Sequence, residues 1–111
     1  MLFLESDFLK KLKMKPEELK RLIDQGVPVK IIDVREADEF AAAEKIEGAE
    51  NIPMGRIFIE ASKGNLPKDS KIVTVCKSGT RCGIVAKELR ERGYDIEALE
   101  GGVEDFKRSF S

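Results

Sequence analysis

Cys76 is the residue whose type and position most clearly point to chemistry. It directly follows the apolar, β-branched run Lys71-Ile72-Val73-Thr74-Val75 and leads into Lys77-Ser78-Gly79-Thr80-Arg81. Ser78, Gly79 and Thr80 are small enough for successive backbone N–H groups to turn inward, which makes an anion-binding nest. A helix starting a few residues later adds partial positive charge at its N-terminus, and Lys77 and Arg81 add formal charge. Together these favour thiolate over thiol at Cys76. The same cradle, Lys77 through Arg81, would hold an anionic substrate group beside the sulfur. The competing reading is an inert thiol ending a buried strand, since free Cys is often buried. Gly79, Arg81 and the following helix weigh against it.

Composition removes several other chemistries. The chain of 111 residues has no His, so Cys-His and Ser-His-Asp arrangements cannot form within it. Two Cys without His cannot supply a four-ligand Cys/His zinc site, and neither a metal nor another cofactor is expected. The 20 basic and 21 acidic residues leave a net charge of −1, which gives no electrostatic case for nucleic acid or an anionic membrane. No apolar run approaches the roughly 18 residues of a membrane span. The start Met1-Leu2-Phe3-Leu4-Glu5-Ser6-Asp7 lacks the basic and apolar regions of a signal peptide. A cytoplasmic location, where thiols stay reduced, is the expectation.

The elements that must position Cys76 can be read from periodicity and punctuation. Residues 1–12 carry Leu2, Phe3, Leu4, Phe8, Leu9 and Leu12 at loosely helical spacing and read as an N-terminal extension, with 13–111 as one domain. Pro16-Glu17-Glu18 opens a helix that Gly26 ends. Val29–Val34 is a buried strand, followed by a short helix over Glu36–Ala43 and a brief strand near Ala49–Ile52. A helix over 55–63 precedes the strand Lys71–Val75. Gly83–Arg92 is an amphipathic helix, Tyr94–Leu99 a strand, Gly101-Gly102 a sharp loop, and Val103–Phe110 a closing helix. Strands alternating with helices predict an α/β fold: a mainly parallel central sheet with helices on both faces. Ligands of such sheets bind beyond the carboxyl ends of the strands. Asp33-Val34-Arg35, the Cys76 loop and Gly101-Gly102 all fall at such ends.

Four motifs, in order, carry a family resemblance. They are Ile31-Ile32-Asp33-Val34-Arg35 with Glu36 and Glu39-Phe40; Ile46-Glu47-Gly48-Ala49-Glu50-Asn51-Ile52-Pro53; Val75-Cys76-Lys77-Ser78-Gly79-Thr80-Arg81; and Leu89-Arg90-Glu91-Arg92-Gly93-Tyr94 leading to Leu99-Glu100-Gly101-Gly102. Over roughly residues 13–110 the chain resembles a single-domain rhodanese, of the sulfurtransferase family. The resemblance implies that Cys76 is the nucleophile. It would take a sulfane sulfur from thiosulfate or a persulfide donor and pass it, through a Cys76 persulfide, to a thiol or cyanide; a protein could also be the sulfur acceptor. Lys77, Ser78, Gly79, Thr80 and Arg81 would form the anion cradle. Related Cys-dependent phosphatases have one residue more between Cys and Arg, so the shorter loop here favours sulfur over a phosphoryl or arsenate group. Glu44-Lys45 stand where the family commonly has Gly-His. Val103 and Phe106 stand where it often has Trp, which implies a more open pocket wall.

The remaining candidates read as supports. Asp33 and Arg35 are expected to brace the Cys76 loop, with Gly101 and Gly102 forming the neighbouring turn. Cys82 is either a small residue at a helix start or a resolving thiol for Cys76. Beside the enzyme stands an alternative: a sulfur-carrier or redox-sensing module that docks on a partner through residues 1–12 and turns over little alone.

Overall fold

The computed structural model describes residues 12–110. Five strands form one sheet: β1 (Lys13–Met14), β2 (Val29–Asp33), β3 (Glu50–Asn51), β4 (Lys71–Val75) and β5 (Ile96–Leu99). Among the described residues five helices accompany them: α1 (Pro16–Asp24), α2 (Ala37–Ala42), α3 (Met54–Ser62), α4 (Thr80–Glu91) and α5 (Gly102–Phe110). The strand order is β1-β5-β4-β2-β3, and every pairing is parallel. The expected α/β architecture is therefore the one observed.

Side-chain alternation along the strands divides the core between two faces. Ile32, Ile72, Ile96 and Ala98 pack with Ile57 of α3 and with Cys82, Val85 and Leu89 of α4. Ile31, Val73, Val75 and Leu99 pack on the other face with Leu19 of α1 and Val103 and Phe106 of α5. Burying each Leu, Ile or Val of this kind contributes on the order of 1.5–3 kcal/mol. On β4 the same period puts Ile72, Thr74 and the next residue, Cys76, on the α4 side. The sheet's pleat, not the loop, thus aims Cys76 at α4.

One strand lies outside the sequence expectation, and one helix start differs from it by three residues, while the other ends agree to within two. β1 was not anticipated. It pairs Lys13 with Ala98 and Met14 with Leu99, and Met14 has no exposed surface. Two residues before a Pro-opened helix carry too little periodicity to announce a strand; the neighbouring edge of β5 decides it. The helix expected from Gly83 begins instead at Thr80, with Gly79 as its N-cap at φ 108°. Only a residue that tolerates left-handed backbone suits that position. Apart from Leu12, which packs against the core, the expected N-terminal helix lies outside the described residues.

Candidate active site at the Cys76 loop

Cys76 sits where β4 ends and α4 is about to begin, with 1% of its surface exposed. Because α4 starts at Thr80, its free N-terminal N–H groups face the sulfur. Gly79 N donates to Cys76 Sγ at 3.1 Å and Cys82 N at 3.4 Å. The first turn of any helix has unpaired donors, and here a side chain from the preceding strand accepts from them. An anion at that position is stabilised by the helix dipole.

Cys82 lies in the first turn of α4, fully buried. Its Sγ lies 3.3 Å from Cys76 Sγ, and with Cys76 as the more acidic thiol the Cys82 S–H is the donor. Thr74 Oγ1 holds the Cys82 carbonyl at 3.0 Å, fastening the turn to β4. The consequence is a thiolate at Cys76, whose pKa is lowered from 9.0 to about 5. The Cys82 hydrogen bond is the largest cause, burial opposes it, and the backbone N–H groups of Cys82, Gly79 and Ser78 add to it. Cys82 is pushed far the other way by donating to that thiolate and by burial, so the shared proton stays on Cys82. Hydrogen bonds rather than formal charges lead this activation.

Arg81 is paired with a carboxylate from another helix. Its guanidinium makes a bidentate pair with Glu39 of α2, at 2.7 and 3.0 Å. Glu39 raises the Arg81 pKa, and the Cys76 charge adds a smaller increment. Lys77, Ser78 and Thr80 are exposed and Gly79 is half-buried. Lys77 lines a cleft of about 580 Å³ together with Arg35, Glu39, Val103, Lys107 and Arg108.

Two supports come from the adjoining strand ends. Asp33 and Arg35 pair with each other: Arg35 Nε lies 2.9 Å from Asp33 Oδ1 and Arg35 Nη2 2.7 Å from Oδ2. Both are buried, and Arg35 Nη2 also donates to the Glu44 carbonyl. Val34 N donates to Val75 O at 2.9 Å, which ties this segment to the end of β4. From the other side, the start of α5 caps the loop's carbonyls. Val103 N donates to Cys76 O at 2.8 Å and Glu104 N to Lys77 O at 3.4 Å. Gly102, at φ 66°, permits that approach, since a Cβ there would lie 2.4 Å from Cys76 O. Gly101, at φ 75°, makes the turn.

The fold thus gathers Cys76, its loop, Asp33, Arg35, Gly101 and Gly102 at one sheet end. Sequence reasoning missed Glu39 as the partner of Arg81 and Cys82 as the principal donor to Cys76. It also missed Asn51, whose Nδ2 donates to the carbonyls of Asp33 and Arg35 at 3.0 and 2.9 Å. Only the five-residue interval between the two Cys signalled any of these; Glu39 and Asn51 meet their partners through the fold alone. Among the described residues, no group of three or more His, Cys, Asp or Glu is placed to hold a metal ion. No described helix is long and apolar enough to cross a membrane.

The sequence profile of the Rhodanese-like domain matches residues 15–109. The chain belongs to this family. The putative sulfurtransferase YtwF of Bacillus subtilis is 39% identical over 85 residues, 77% of this chain and 80% of that one. The putative sulfur carrier protein YrkF of the same organism is 31% identical over 78 residues, covering 70% of this chain and 40% of that one. The crystal structure of SSP1007 from Staphylococcus saprophyticus superposes with a TM-score of 0.75 at 33% identity, covering 85% of this chain and 91% of that one. The rhodanese-like domain therefore spans residues 15–109 of the chain. Several curated relatives are much longer: the matched region spans 22% to 40% of the first four.

Proposed function

We propose that the chain is a sulfurtransferase that carries sulfane sulfur as a persulfide on Cys76. The observation that carries this reading is the triple donation to Cys76 Sγ from Gly79 N, Cys82 N and Cys82 Sγ. That arrangement stabilises a thiolate before reaction, and preorganised donors of this kind commonly supply a few kcal/mol. With thiosulfate as donor, Cys76 Sγ attacks the outer sulfur, the S–S bond breaks and sulfite leaves. The persulfide's outer sulfur then passes to an attacking thiol or cyanide, and the Cys76 thiolate returns. Lys77 and the loop's N–H groups would hold the donor's anionic end. The sulfurtransferase relatives and the four-residue interval between Cys76 and Arg81 support the same chemistry.

The burial of Cys76 favours a second reading. A sulfur carrier would release its sulfur only to a partner protein that opens the loop. One assay separates the two. Purified chain with thiosulfate and cyanide should release thiocyanate continuously, and Cys76→Ser should abolish release. A Cys76 persulfide that forms without thiocyanate turnover supports the carrier. Unchanged release by Cys76→Ser overturns both.

A further inference from the structure

Cys82 holds the proton that stabilises Cys76, yet the transfer reaction needs only one sulfur. Its placement suggests a second use. The two Sγ atoms lie 3.3 Å apart, and closing that gap by little more than an ångström reaches a disulfide bond. Cys82 has no exposed surface and packs on the core side, beside Val85 and Ile32. A sulfur arriving from solvent must add to Cys76 on the opposite, outer side. Cys82 would then face the inner sulfur of the persulfide with the outer sulfur pointing away from it, the in-line arrangement that thiol–disulfide exchange requires. Gly79 and Gly83 flank the first turn of α4, and a Cβ at Gly83 would meet nothing within 4 Å. A helical Gly weakens its turn relative to Ala, so this turn can yield.

We propose that Cys82 is a resolving nucleophile that discharges the Cys76 persulfide as hydrosulfide, a reaction that rests on the persulfide reading above. Cys82 Sγ attacks Cys76 Sγ, the bond from Cys76 Sγ to the sulfane sulfur breaks, and a Cys76–Cys82 disulfide forms. Once Cys76 Sγ carries the sulfane sulfur it is no longer the thiolate that held the Cys82 proton; that proton leaves to water, and the departing sulfur takes one proton from water and leaves as hydrosulfide. The two cysteine sulfurs are together oxidised by two electrons and the sulfane sulfur is reduced by two, so no external oxidant enters. A thiol reductant, as a dithiol or two monothiols, returns both cysteines to the starting state. The chain would then supply free sulfide to a sulfide-consuming reaction and draw on a thiol-reducing one.

The test uses the full chain without oxygen or added thiol. The chain is loaded with thiosulfate, or with inorganic polysulfide if it refuses thiosulfate, then freed of donor and followed by intact mass and sulfide release. The wild type should first weigh one sulfur more, then two hydrogens less than the starting thiol form, with one hydrosulfide released per chain. Cys82→Ser and Cys82→Ala should keep the extra sulfur and lose hydrosulfide release. A wild-type chain that keeps its persulfide and releases no hydrosulfide overturns this inference and leaves the proposed function standing. A chain that gains no sulfur on Cys76 from either donor overturns both. Hydrosulfide release by the Cys82 variants at the wild-type rate also overturns it.

Discussion

Arg81 and Glu39, far apart in sequence, close the site as a bidentate ion pair at 2.7 and 3.0 Å. The pair joins the first turn of α4 to α2 and keeps the loop's Arg occupied. An anionic donor that recruits Arg81 must compete with the Glu39 carboxylate. The sulfur of Cys76 is held by backbone N–H groups and Cys82, so its hydrogen bonds do not involve the Arg81 guanidinium.

The Glu39 pair predicts an acid dependence. Arg81 lowers the Glu39 pKa from 4.5 to about 2. A carboxylate with a depressed folded pKa contributes stability that is full above its unfolded pKa and is lost as pH falls through the folded one. The denaturation midpoint of the wild type should exceed that of Glu39→Gln at neutral pH. The difference should shrink as pH falls from 4.5 and vanish near the lower value. A constant difference across that window contradicts the assignment.

Cys76 predicts a second pH profile. Alkylation by iodoacetamide should rise with pH through a midpoint of about 5. In Cys82→Ala the midpoint should move upward. A hydrogen bond to a charged acceptor is worth about 1.5–3 kcal/mol, so well below the wild-type midpoint the thiolate fraction should fall roughly tenfold to a hundredfold. An unshifted midpoint would show that the backbone donors suffice alone.

The Asp33–Arg35 pair predicts a stability effect. Removing one member of a buried ion pair leaves the other charge unpaired and costs about 3–5 kcal/mol. Arg35→Met should lower urea stability by that order. The double change Asp33→Leu with Arg35→Met should recover much of the loss. A loss below about 1 kcal/mol in the single variant contradicts a bracing role.

Gly102 predicts a local steric effect. A Cβ there would lie 2.4 Å from Cys76 O and 2.5 Å from Lys77 O, and its φ of 66° disfavours a side chain. Gly102→Ala should cost on the order of 1–3 kcal/mol from the backbone alone and should slow Cys76 alkylation as the loop shifts. Gly55→Ala is the control. Its Cβ would meet nothing within 4 Å, so stability should stay the same or rise by about 0.4–1 kcal/mol. Equal effects in the two variants would refute the close approach.

Most of the fold was legible because its signals are local. Val29–Asp33 and Lys71–Val75 are short apolar runs bounded by turns, and Pro16, Gly26 and Gly93 mark helix ends. Cys76 announced itself by following such a run and preceding small residues. β1 escaped notice because two residues carry no period, and α4 was read three residues late because Gly79-Thr80 looks like a turn. Its true start depends on a left-handed Gly79 whose N–H is bonded to the Cys76 sulfur.

By itself, then, the sequence determined a parallel α/β sheet with a cysteine at the end of an inner strand, and restricted its chemistry by having no His. Only the tertiary structure decided what touches that cysteine. The pleat of β4 turns Cys76 toward α4, the early start of α4 brings Cys82 to 3.3 Å from it, and the fold of α2 assigns Arg81 to Glu39. These contacts join elements through side-chain direction and backbone register, which no local run of residues encodes.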